Sequence, residues 1–212
     1  MSRAVVFLCV LLAGYGLYRW VYMRPSSSGA GPAIDVTAEP RQEKLTVPER
    51  VTVRRDGRDF VIEKHHRYQV QGQVLSAATY NIAFATDFYD VDLGLIWGPR
   101  IDEFLGKYKF SQNGRYLFWR SPTMPPADEV QAITRSIGNN HLIPGDRNPN
   151  LDRALKWVSK GDRVRIDGYL VTIQDSDGRS LATSSTSRDD SGNGACEIVW
   201  VDEIQIGDAI YR

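Results

Sequence analysis

The chain has 212 residues, 26 of them Lys or Arg against 26 Asp or Glu, and two cysteines. A neutral chain without a basic stripe lacks the cationic surplus that phosphate-backbone binding requires, so no nucleic-acid partner is expected. Cys9 and Cys196 lie in different regions, which indicates no intramolecular disulfide framework. Apart from the first forty or so residues, about 170 remain, enough for one domain with a substantial core.

Ala4 to Met23 is mostly apolar, with Val5, Val6, Phe7, Leu8, Val10, Leu11, Leu12 and Leu17. About twenty such positions at 1.5 Å each match a hydrocarbon core of roughly 30 Å. Residues 1–23 are therefore expected to be a single-pass membrane anchor. Arg19 would snorkel, and Tyr15, Tyr18, Trp20 and Tyr22 would form an interfacial belt. A cleaved signal peptide is the rival, but the apolar run meets Arg19 and Trp20 rather than a small-residue cleavage site. A three-residue N-terminal tail favours a globular part outside the cytoplasm. Residues 24–46, rich in Pro, Ser and Gly, are expected to be a flexible linker, and residues 47–212 a single β-rich domain.

The domain opens with a predicted hairpin turning at Asp56-Gly57, which sets Val53 opposite Phe60 and Val51 opposite Ile62. A further strand places Tyr68, Val70 and Val74 on one face; His65 and His66, between the two, are expected as exposed turn histidines unable to share a metal. Ser76 to Pro99 lacks clean periodicity. Its Asp90 and Asp92 are spaced to present both carboxylates on one side, for a hard cation or an acid–base pair, while a surface loop with aromatic plugs such as Trp97 is the plainer alternative.

A second hairpin is expected to turn at Asn113-Gly114, with Tyr108 and Phe110 facing Trp119 and Leu117. Two helices follow. One lies near Asp128 to Ser136, stopped by Gly138; the other has Asn148 as N-cap, Pro149 at its first position and the stripe Leu151, Ala154, Leu155, Val158. Between them Gly138 to Pro144 is expected to be a loop of amides around His141, where a loop-locking histidine and a site residue are both open readings.

From Arg163 the apolar phase switches from Val164 and Ile166 to Tyr169, Val171 and Ile173, which predicts a bulge or bend at Gly168. Asp177-Gly178 then reverses the chain. Asp189, Ser191, Asn193 and Gly194 match the start of a calcium loop, but Trp200 stands where a bidentate Glu is needed, so no metal site is expected. Cys196 alternates in phase with Ile198 and Trp200, as a core cysteine would. Paired with His141 it would instead be a thiol nucleophile. G-x-S-x-G, P-loop, GxGxxG, HExxH and CxxC signatures do not occur, and no cofactor is implied.

The segments Gly94-Leu95-Ile96-Trp97-Gly98-Pro99, Ser111 to Arg115 with Phe118-Trp119, Asn140-His141-Leu142-Ile143-Pro144, and Ser187-Arg188-Asp189-Asp190 leading to Gly194-Ala195-Cys196-Glu197, together with the N-terminal anchor, resemble a group of bacterial membrane-anchored proteins of unknown function. The resemblance spans nearly the whole chain and implies an inner-membrane protein with a periplasmic domain; it brings no activity or catalytic residue. Separately, Gly161 to Leu170 is similar to the glycine-bent strand of OB-like barrels.

The expected fold is thus β-rich α+β: a transmembrane helix, then an OB-like small barrel or rolled antiparallel sheet with two short helices. The expected function is a non-enzymatic envelope module that binds a protein or small ligand near the membrane, an envelope protein being the expected partner, with Arg188, Asp189, Asp190, Asn140 and Trp97 as candidate ligand contacts. The alternative is an envelope hydrolase using His141 with Cys196 or the Asp189/Asp190 loop.

Overall fold

The computed structural model describes residues 3–55, 57–80, 88–89, 91–187, 190, 192 and 195–212; for residues 3, 4, 13, 18–20, 22 and 147 it describes the backbone only. In chain order the elements are α1 (Arg3–Tyr22), β1 (Gly29–Ala30), β2 (Arg41–Arg55), β3 (Arg58–Thr79), β4 (Val91–Ile96), α2 (Ile101–Lys107), β5 (Lys109–Asn113) and β6 (Tyr116–Arg120). They continue with α3 (Ala127–Arg135), β7 (Ile137–Pro144), α4 (Pro149–Trp157), β8 (Arg163–Asp175), β9 (Ser180–Thr183), β10 (Glu197–Ile206) and β11 (Ala209–Tyr211). The fold is β-rich α+β, as the sequence implies.

Five strands pair in a closed ring, β3 to β4 to β7 to β10 to β8 and back to β3. Each pairing is antiparallel except β7 with β10, which is parallel. Parallel neighbours need a long crossover. Here α4, β8 and β9 supply it. Every ring strand sends one face inward: Val70, Leu93, Leu142, Ile166 and Val199 are all fully buried in one cluster, which α4 plugs with Leu151, Ala154 and Leu155. On the outer wall, Ile62, Ile143, Tyr169, Val171, Ile198 and Trp200 form a second cluster with Phe88 and Tyr89. A third, around Phe104, Tyr108 and Ile133, joins α2 and α3 to the β5–β6 hairpin.

Local chemistry accounts for the elements that match expectation. Val53 faces Phe60 and Val51 faces Ile62, and Gly57 takes φ 76° in the turn, although Asp56 lies outside the described residues. The Asn148 side chain accepts hydrogen bonds from the Asn150 and Leu151 N–H groups with Pro149 at the first helical position, so α4 starts where a capped helix should.

Other expectations are corrected. The two strands flanking His65 and His66 are one strand, β3, and these histidines are not in a turn: the β3–β8 register shifts between Lys64 and His66, so His65 sits at a bulge. That bulge, not Gly168, moves β3 from the outer cluster at Ile62 to the inner one at Tyr68. In β8 the alternation never breaks; even positions face inward and odd ones outward, and both faces are covered. Gly168 answers a different need, since a Cβ there would lie 2.0 Å from the Trp200 carbonyl oxygen. The second hairpin turns one residue later than expected: Phe110 pairs with Trp119 and Gln112 with Leu117, leaving Gly114 and Arg115 in the turn. Gly138 does not stop a helix but lies inside β7, so the expected amide loop is an inner strand. An additional helix, α2, precedes the hairpin.

The 24–46 segment, expected to be a flexible linker, is bound along the sheet. Gly29 and Ala30 pair with β11, the Gly98 N–H donates to the Val36 carbonyl, and Val36 is buried. Residues 41–46 already belong to β2. In α1, large apolar side chains from Val5 to Leu17 and Val21 are exposed on all sides. The run from Val5 to Leu17 measures only about 20 Å at 1.5 Å per residue, short of a hydrocarbon core. Among the described residues, no helix is long and apolar enough to cross a membrane.

Candidate functional site

Three adjacent ring strands bring the chemistry together. Asp92 of β4 lies opposite His141 of β7, and His141 lies opposite Ile198 of β10. Cys196, two residues before Ile198, therefore shares the outward face with His141 and Asp92. Asn139, two residues before His141, lies on the same face beside it.

His141 Nδ1 is 2.7 Å from Asp92 Oδ1, and since a carboxylate only accepts, the ring donates from Nδ1. Nε2 is then left free of the carboxylate, and Cys196 on the neighbouring strand is close enough to influence the ring. Tyr89 stacks flat on the imidazole, with centroids 4.6 Å apart and planes 15° from parallel. The Asn139 amide donates to the Arg115 carbonyl at 2.8 Å and lies 3.7 Å from Cys196 Sγ. Because that carbonyl only accepts, it fixes which end of the amide faces the sulfur. Arg115 Nη1 pairs with Asp92 Oδ1 at 2.9 Å. Asp92 is wholly buried and His141 nearly so, whereas Cys196 is half-buried.

Burial alone would lower the His141 pKa; the Asp92 hydrogen bond and charge, together with the influence of Cys196, overcome it and raise it to about 9. The ring is thus held as an imidazolium at neutral pH. Tyr80, beside the same carboxylate, is raised to about 12, first by burial and then by the Asp92 charge. An imidazolium oriented by a buried carboxylate and lying near a cysteine on the next strand is an arrangement that can activate that cysteine for attack on an electrophilic carbon. Among the described residues, no group of three or more His, Cys, Asp or Glu side chains is arranged to hold a metal ion.

Of the residues picked out in the sequence, His141 and Cys196 meet here. Cys196 does lie in phase with Ile198 and Trp200, but its contact with the Asn139 amide and its nearness to His141 distinguish it from an inert core thiol. Asn140 points to the opposite, inner face, where its Oδ1 accepts from the Tyr68 hydroxyl at 3.2 Å. Trp97 is buried in the inner cluster. Asp190 accepts from the Ser185 hydroxyl, while Arg188 and Asp189, like Asp90, lie outside the described residues. Asp92 was legible only as half of a carboxylate pair. Asn139, Arg115 and Tyr89 were not singled out, and the available signal was polarity in a buried run: one Asp in Val91–Ile96, and Asn and His in Ile137–Pro144.

No family model matches the chain, and neither a curated protein nor a solved structure matches it.

Proposed function

We propose that the chain is a thiol hydrolase whose site lies on the outer wall of an OB-like small barrel. The strand order and the single parallel pair support the barrel reading. The function rests on one observation, the Asp92–His141 hydrogen bond with Cys196 on the same face of the next strand. In the reaction, Cys196 Sγ attacks a substrate carbonyl carbon and its proton resides on His141. The imidazolium gives that proton to the leaving group as the carbonyl re-forms, leaving a thioester. Water then attacks the thioester, its proton passes to His141, and the carboxylic acid and the thiol are released. Asp92 keeps the ring oriented and stabilises its charge, as in other nucleophile–His–acid constellations.

The test is acyl transfer from p-nitrophenyl acetate. The wild-type chain should form an acetyl adduct on the Cys196 peptide and turn over; Cys196→Ala should form none, and His141→Ala should lose at least about 100-fold in rate, within the range of positioned acid–base groups. Equal nitrophenol release by wild type and Cys196→Ala would refute the reading. For location, we propose that the whole 3–22 segment anchors the chain in a bacterial inner membrane with the barrel on the periplasmic side. Twenty helical residues span about 30 Å, and the apolar side chains of α1 are exposed rather than packed on the barrel. Retention in the membrane pellet after alkaline carbonate, lost on deleting residues 1–23, is the expected result.

A further inference from the structure

The turn between β5 and β6 sends Arg115 into the same site, and its contacts exceed what a surface turn requires. Its Nη1 bonds Asp92 at 2.9 Å and its Nη2 bonds the Tyr89 carbonyl at 3.0 Å. Its guanidinium lies over two rings, 4.1 Å from the Tyr80 centroid and 4.5 Å from that of Tyr89. Its own carbonyl accepts from Asn139. The side chain is 19% exposed. One residue therefore touches the carboxylate behind His141, the ring stacked on His141, and the amide next to Cys196. The geometry follows from the hairpin slip. With Gly114 at φ 56° and its carbonyl held by the Tyr80 hydroxyl, Arg115 leaves the ladder and turns toward β4.

We infer that Arg115 is a positioning residue of the thiol site, acting through Asp92 and Tyr89 to fix the His141 ring against Cys196. The inference rests on the thiol-hydrolase reading, and it goes beyond it by assigning a fourth chain segment to the machinery. A planar fork suits the task, because two N–H groups reach two acceptors while the plane stacks on aromatics; a lysine ammonium supplies the charge without the fork.

The experiment uses the full chain in detergent, with iodoacetamide alkylation read on the Cys196 peptide so that Cys9 does not interfere, and the His141 titration midpoint read by NMR and assigned with His141→Ala. Arg115→Gln should slow Cys196 alkylation at pH 7 at least tenfold. It should also move the His141 midpoint upward, since a cation is removed and Asp92 is left to the imidazolium alone. Arg115→Lys should return the midpoint toward wild type but leave alkylation several-fold slow. An Arg115→Gln protein that keeps both rate and midpoint overturns the inference. If that variant fails to fold by circular dichroism, Arg115→Lys decides: alkylation within twofold of wild type overturns it. Alkylation equally fast in wild type and His141→Ala would instead refute the thiol-hydrolase reading, with the NMR midpoints still reporting on Arg115.

Discussion

Asp92→Asn isolates the electrostatic part of the site. The substitution preserves shape, and the amide oxygen can still accept from His141 Nδ1, but the charge that holds the imidazolium is lost. His141 titrates at about 9 in the folded chain against an ordinary 6.5. A folded pKa above the unfolded value contributes stability that is fully present below pH 6.5 and disappears as pH rises through 9. Two and a half units at about 1.4 kcal/mol each give about 3 kcal/mol, with little loss to solvent screening because the ring is buried. The Arg115 charge, left without its carboxylate in the variant, adds a cost that does not change across this range. Urea unfolding of wild type and Asp92→Asn from pH 6 to pH 10 should show a stability gap that is largest at pH 6 and narrows toward pH 10 by an amount on the order of that 3 kcal/mol, of which Cys196 also supplies a share. A gap independent of pH would mean that Asp92 does not set the charge on His141, and the argument for an ion-paired site would fail.

Three further outcomes test the frame that carries the site. Gly168→Ala puts a Cβ 2.0 Å from the Trp200 carbonyl oxygen, and since this clash is with backbone it should cost at least the roughly 1–3 kcal/mol typical of overpacking, read as a lower urea midpoint. Asn148→Ala removes the acceptor for the Asn150 and Leu151 N–H groups and should cost about 1 kcal/mol without changing Cys196 alkylation. Trp97→Ala, emptying a site only 2% exposed, should cost about 3–5 kcal/mol in thermal or urea unfolding.

Local signals were legible where their physics is local. The first hairpin's register follows from a two-residue turn and cross-strand pairing, and the α4 start follows from an amide cap before a proline. The site was hidden because its bonds join residues far apart: 49 positions separate Asp92 from His141. The phase of Cys196 with Ile198 and Trp200 does indicate a shared face, but a face is apolar only where its neighbours are, and the sequence of the neighbouring strand has the look of a loop. β7 looked like a loop because Gly138-Asn139-Asn140-His141 has amides on both faces; inside the ring each finds a partner, Asn139 in Arg115 and Asn140 in Tyr68. β4 defeated periodicity for the opposite reason, being buried on both faces.

The inner side of β7 sets the chemistry on its outer side. Because side chains alternate along a strand, a slip of one residue against β4 or β10 would turn His141 into the barrel and bring Asn140 or Leu142 outward. Several inner contacts oppose that slip. Leu142 is fully buried in the barrel core, Asn140 bonds Tyr68, and Gly138 is so close to Trp97 that a Cβ would lie 2.8 Å from the indole Cη2. None of these groups needs to touch a substrate. Trp97 and Asn140, which the sequence presented as ligand contacts, therefore lie behind this face: they hold β7 in the register that turns His141 toward Asp92.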